Sequence, residues 1–209
     1  GNALGRDTRA IITDMDQPLG LAVGNALEVK EAIATLQGKG PKDFVELVTK
    51  AGGILLEQGK IAASAEEGEE KIKAAIADGS ALQKLRAFIE AQGGDPTYID
   101  HPEKFPLAKN IIEIRAKQSG YVRRIDSMQI GISAMKLGAG RETMEDVIDM
   151  SAGIVLAKKV GDVVKIGDVL AVCHTNKEDV EDILKDIENA FFYDTDPFVP
   201  APIVHRYVK

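Results

Sequence analysis

The segment Ile12-Thr13-Asp14-Met15-Asp16-Gln17-Pro18-Leu19-Gly20-Leu21-Ala22-Val23-Gly24-Asn25-Ala26-Leu27-Glu28-Val29 puts acids, a helix-starting proline and two glycines side by side. Read from the residues alone, the segment suits an ordinary strand–loop–helix connection. The three histidines, His101, His174 and His205, form no metal spacing such as HxxxH, and each reads as structural or solvated. The acid pairs Glu66-Glu67, Glu69-Glu70 and Asp14/Asp16 read as solvated. So do the basic pairs Lys158-Lys159 and Arg123-Arg124. Cys173 lies in the apolar run Val169–Cys173 and reads as a small core residue rather than a nucleophile.

Helices and strands must position these groups, and two compositions meet near His101–Pro106. Before that point the chain is Ala-rich with helical periodicity. Ala10–Thr13 is a short apolar run. Pro18 opens a predicted helix in which Leu19, Ala22, Val23, Ala26, Leu27, Ile33 and Leu36 recur at helical spacing, with Gly20 and Gly24 inside it. A second helix over Pro41–Lys50 stops at Gly52-Gly53. Ser64 with Glu67 is a capping box for a helix to Ala77, and another helix runs from Ser80 to about Gln92.

After the boundary, β-branched runs alternate with glycine turns. Ile111–Ala116 and Tyr121–Ile125 read as strands joined across Ser119-Gly120, and Ser127–Leu137 as a helix. Ile154–Val160, Val163–Ile166 and Val169–His174 read as strands separated by Gly161-Asp162 and Gly167-Asp168. Asn176 is expected to cap a helix carrying Val180, Ile183, Leu184, Ile187 and Phe191. Phe198–Val208 is expected to be an edge strand.

The bulk numbers narrow the function class. With 209 residues and 44% hydrophobic content, a core can form without disulfides, and the single cysteine permits none internally. The formal charge of -7 argues against nucleic-acid binding, which needs clustered Lys and Arg. No apolar run approaches the roughly 20 residues that span a bilayer, so no membrane role is expected, and a reducing cytoplasm fits the cysteine usage.

The opening segment resembles the signature of pyrimidine-nucleoside and thymidine phosphorylases. Further matches follow in family order: Ala91-Gln92-Gly93-Gly94-Asp95-Pro96, Ser119-Gly120-Tyr121-Val122, Leu137-Gly138-Ala139-Gly140-Arg141, Asp146-Val147-Ile148-Asp149, Gly153-Ile154-Val155-Leu156 and Gly161-Asp162-Val163-Val164. The resemblance runs from about Gly5 to Val208. It implies an α/β plus α+β fold. Residues 1–104 would be the later part of an α/β sheet domain, and residues 105–209 a hammerhead-like barrel-sandwich C-terminal domain.

The family's reaction is phosphorolysis of a pyrimidine nucleoside to a free base and a pentose 1-phosphate, part of nucleoside salvage. The family's phosphate loop, with its Lys-His-Ser start, lies upstream of the matching region, as do the Arg and Lys that grip the base. No catalytic residue is therefore assigned here, and the chain alone is expected to be inactive, as a fragment lacking an N-terminal half. The resemblance places backbone carbonyls at Leu19 and Ala22 and the carboxylate of Glu31 as part of a site for potassium or a similar monovalent cation. That site would be completed by the missing half. Read by itself, Glu31 is a solvated helix residue. Family members are homodimers through a domain not present here.

Two other function classes remain. Ala134-Met135-Lys136, with the strand-Gly-Asp pattern of Val160–Leu170, suggests a biotinyl or lipoyl carrier domain using Lys136. The chain could also be a non-enzymatic docking module.

Overall fold

In this computed structural model, residues 1–197 and 199–208 are described. In chain order, a 3-10 turn (Asn2–Leu4) precedes strands β1 (Ala10–Thr13) and β2 (Ala22–Val23). Helices α1 (Asn25–Leu36), α2 (Lys42–Gln58), α3 (Ala65–Ala77), α4 (Ser80–Ala91) and the single turn α5 (Thr97–Asp100) follow. Next come β3 (Asn110–Arg115), β4 (Gly120–Ile125) and α6 (Ser127–Ala134), which continues as a π turn over Met135–Ala139. The chain ends with β5 (Gly153–Leu156), β6 (Val163–Val164), β7 (Val169–Thr175), α7 (Glu181–Asn189), β8 (Phe191–Asp194) and β9 (Val204–Val208). The fold is mixed α/β with several antiparallel sheets, and among the described residues none of the sheets closes into a barrel.

Two compact units are formed from discontinuous segments: Gly1–Asp14, Ala32–Asp100 and Ala201–Lys209 in the first, Met15–Glu31 and His101–Pro200 in the second. The first unit is mostly helical. Its sheet, among the described residues, is the antiparallel pair β1–β9, with Ile11 opposite Tyr207 and a bulge at Ile12/Thr13. Arg9 ties this pair to α2, donating to Glu57 at 2.6 Å and to the Tyr207 hydroxyl at 3.0 Å.

The expected stop at Gly52-Gly53 is absent, and α2 continues to Gln58. The reason is a helix crossing. A Cβ on Gly53 would lie 2.4 Å from the Ala65 carbonyl, and one on Gly68 would lie 2.4 Å from the Gly53 carbonyl. Glycine therefore serves close packing of α2 on α3, despite its helix propensity cost of about 1 kcal/mol. The capping box at the start of α3 forms as the sequence suggests. Ser64 Oγ accepts from the Glu67 N–H at 3.2 Å, while Glu67 Oε2 accepts from Ala63 at 2.9 Å.

The second unit buries the larger core. Val122, Ile130, Leu137, Ile154, Leu170 and Ile187 are fully enclosed. One antiparallel sheet has the order β2-β5-β7-β3 and another β6-β4-β8. β3 and β4, the strands joined across Ser119-Gly120, lie in different sheets, β3 on β7 and β4 between β6 and β8. Strand β8, which begins at Phe191, replaces the expected end of the last helix. Asn176 does not cap that helix. It accepts from the Lys109 N–H and donates to Asp149, while Val180 stands at the N-terminus of α7. The terminal strand is shorter than expected, starting at Val204, and Phe198 lies outside the described residues.

Substituting Gly53→Ala or Gly68→Ala should cost about 1–3 kcal/mol, as overpacking does, read as a lower urea midpoint at unchanged slope.

Candidate functional site

Residues 17–24 do not form the helix that their apolar spacing suggests. Gly20 has φ +67°, a left-handed conformation, and the chain passes through turns into β2 before α1 begins at Asn25. Antiparallel pairing takes over at Ala22 and Val23, opposite Val155 and Ile154 of β5, and the Leu21 carbonyl accepts from the Leu156 N–H at 2.8 Å. Gly24 stands where a Cβ would come within 2.5 Å of the Ala152 carbonyl. Gly24 meets another backbone closely and Gly20 meets the Glu31 carboxylate, but both lie in the bends that flank β2, not in a helix.

The candidate cation residues, Leu19, Ala22 and Glu31, share this loop and the first two turns of α1. Glu31 is not a freely solvated helix residue. Its Oε1 accepts from the backbone N–H of Leu21 at 2.9 Å and of Ala22 at 3.1 Å. The same carboxylate lies over Gly20, where a Cβ would sit 2.2 Å from Oε2. The missing side chain is thus what lets the acid reach the loop. A second grip comes from Lys159, whose Nζ donates to the Pro18 carbonyl and, at 2.7 Å, to the Gly20 carbonyl. Beside it the Val160 N–H donates to Gln17 Oε1 at 2.9 Å.

Reading Lys158-Lys159 as solvated surface is therefore incorrect. Lys158 also bonds inward, to the Val163 carbonyl at 3.0 Å and to Asp168 at 3.2 Å. The sequence signals the turn but not the lysine's grip: Lys159-Val160-Gly161-Asp162 and Lys165-Ile166-Gly167-Asp168 are repeats of one turn. In each, the aspartate accepts from the first lysine's N–H, at 2.8 and 3.1 Å, and glycine has positive φ.

The other singled-out residues are not drawn to this loop. His101 pairs with Glu103 at 3.0 Å, and His205 Nε2 lies 3.5 Å from Asp14. Asp14 is largely buried, not solvated. Burial, aided by the Lys30 charge, holds His174 below its ordinary pKa. Cys173 is fully buried, and desolvation pushes its thiol up to about 12, which suits a core residue and not a nucleophile. Lys136 sits in the π turn after α6, 3.5 Å from Asp186, with its carbonyl accepting from Lys177 at 2.7 Å. That is not the hairpin tip a carrier lysine needs. Among the described residues no cluster of three or more His, Cys, Asp or Glu side chains could hold a metal, and no helix is long and apolar enough to cross a membrane.

The chain matches the family described as "Pyrimidine nucleoside phosphorylase C-terminal domain" over residues 121–194 and "Glycosyl transferase family, a/b domain" over residues 2–82. It is 48% identical over 208 residues to the pyrimidine-nucleoside phosphorylases of Staphylococcus aureus strains USA300, NCTC 8325 / PS 47 and COL. The match covers 100% of this chain and 48% of each relative, so the chain spans about half the length of the curated relatives it matches.

Two outcomes are expected. Glu31→Ala leaves the Leu21 and Ala22 amides without their acceptor and should lower stability by about 1–3 kcal/mol in urea unfolding. Because the folded state holds His174 below its unfolded pKa, the unfolded chain takes up that proton first as pH falls. Stability should therefore drop between about pH 7 and pH 5, and His174→Gln should flatten this part of the profile.

Proposed function

We propose that this chain belongs to the pyrimidine-nucleoside phosphorylase family and supplies the downstream half of an enzyme cleaving pyrimidine nucleosides with phosphate. The observation that carries this reading is the 48% identity sustained over 208 residues. The products are a free base and ribose or deoxyribose 1-phosphate. Residues 1–104 act as the later part of the family's α/β domain and residues 105–209 as its C-terminal α+β domain. The antiparallel sheets of the second unit support describing the latter as a hammerhead-like barrel sandwich.

The division of labour follows from which groups are present. The nucleoside and phosphate are held by the upstream half, whose phosphate loop and base-gripping Arg and Lys have no counterpart in this sequence. The present chain contributes scaffold, closure of a lobe that keeps water from competing with phosphate, and part of a cation cradle. The residues that would hold potassium are Leu19 and Ala22 through their carbonyls and Glu31 through its carboxylate. The reading is supported by Glu31, whose carboxylate already lies against the backbone of this loop at Leu21 and Ala22. When bound, potassium would supply fixed positive charge against the Glu31 carboxylate. The whole enzyme acts as a cytoplasmic homodimer.

Joined to or co-expressed with the family's upstream half, the chain should release uracil or thymine from uridine or thymidine in phosphate buffer; alone it should release none. A correctly assembled but inactive pair would count against the enzyme reading. Potassium, compared with tetramethylammonium at equal ionic strength, should raise the melting temperature of the joined protein but not that of its Glu31→Gln variant.

A further inference from the structure

The 17–22 loop is held by opposite charges through opposite backbone groups. The Glu31 carboxylate takes the N–H groups of Leu21 and Ala22, and the Lys159 ammonium takes the carbonyls of Pro18 and Gly20. Lysine suits such a place. Its ammonium is a compact point charge with rotatable donors, able to stand on two carbonyls as a free monovalent ion would.

The base from which Lys159 reaches is rigid. Its own N–H is bonded to Asp162 at 2.8 Å. The turn it opens is bonded to β4 twice, from the Gly161 N–H to the Val122 carbonyl at 2.8 Å and from the Val122 N–H to the Asp162 carbonyl at 2.9 Å. With the backbone already fixed there, only the side chain's own rotamer freedom is lost when it grips a neighbouring segment.

The sister turn shows that Lys159 is not needed to close its own turn. Residues 165–168 close with the same aspartate acceptor and the same bond from the fourth residue's N–H to the first carbonyl, at 3.0 Å in both turns. Yet the Lys165 ammonium makes no hydrogen bond among the described residues. The two turns also share a bond from the second residue's N–H to a side chain elsewhere, Gln17 in one and Ser119 in the other. The lysine-to-carbonyl bridge is what distinguishes the first turn.

We propose that Lys159 is a positioning residue whose ammonium acts as a tethered monovalent cation, ordering the 17–22 loop and with it the ligand set Leu19, Ala22 and Glu31. Its use in cation binding rests on the cradle reading above, while its ordering of the loop does not.

Hydrogen exchange at the Leu21 and Ala22 amides tests this, measured in tetramethylammonium chloride so that no potassium contributes. Lys159→Met should accelerate both amides by about tenfold, the scale of one lost charge-assisted bond, while the buried β7 amides of Ala171 and Cys173 keep their wild-type rates. Lys159→Gln gives a second neutral variant in case the first folds poorly. Lys159→Cys should lose protection likewise and regain it when 2-bromoethylamine alkylation restores an ammonium at that position; the buried Cys173 thiol is shielded from the reagent. Unchanged exchange at Leu21 and Ala22, equal acceleration in β7, or no recovery on aminoethylation would each overturn the proposal. Such a failure would leave the potassium response of the joined protein as an independent test of the cradle.

Discussion

A carboxylate lying across two consecutive backbone N–H groups leaves a chain few other paths. Glu31 does this to Leu21 and Ala22, and much of the local architecture follows from it. The amides of residues leaving a turn must find an acceptor once they are taken out of water. With those two satisfied by an acid in the second turn of α1, the strand β2 is delivered to β5 at a fixed register. The helix that carries the acid is thereby locked to the strand that precedes it. Gly20 is part of the same constraint, since any side chain there would displace the carboxylate.

This explains why the segment misled a periodicity argument. Leu19, Ala22, Val23, Ala26 and Leu27 recur as on a helix face, but only the last two lie on α1. Tertiary pairing with β5 and the left-handed Gly20 override the pattern. The glycines carried the contrary signal. Two of them in one predicted helix cost propensity that a helix would not recover, whereas bends met closely by the Glu31 carboxylate and the Ala152 backbone need them. The same residue type had the opposite meaning in α2, where Gly52 and Gly53 were mistaken for a stop. What separates the two cases is the neighbour, Ala152 backbone in one and α3 in the other, and neighbours distant in sequence are not written locally.

Much else was legible. The Ser64/Glu67 cap, the helix from Ser80, the two Gly-Asp turns and the buried character of Cys173 all follow from local chemistry and appear as expected. Strand partners did not follow. β3 and β4 are consecutive and joined across Ser119-Gly120, yet each pairs elsewhere. The order of family motifs identified the relatives through residues whose partners it could not supply. Resemblance alone singles out Glu31, while Lys159, its opposite number across the loop, stands in a lysine pair that reads as surface.

The repeated turn carries a register problem of its own. Gly161-Asp162 bonds to Val122 and Gly167-Asp168 bonds to Ala116, so the gripping residues are six apart on both sides. A slip of six residues would seat the second turn on Val122 with equivalent main-chain bonds, and because six is even, no side chain would change faces. Backbone pairing alone barely distinguishes the two alignments. The choice falls to what differs between the copies: Gln17 and the Pro18 and Gly20 carbonyls answer only to the first. A segment more than a hundred residues upstream thus acts as the key that tells two nearly identical hairpin corners apart.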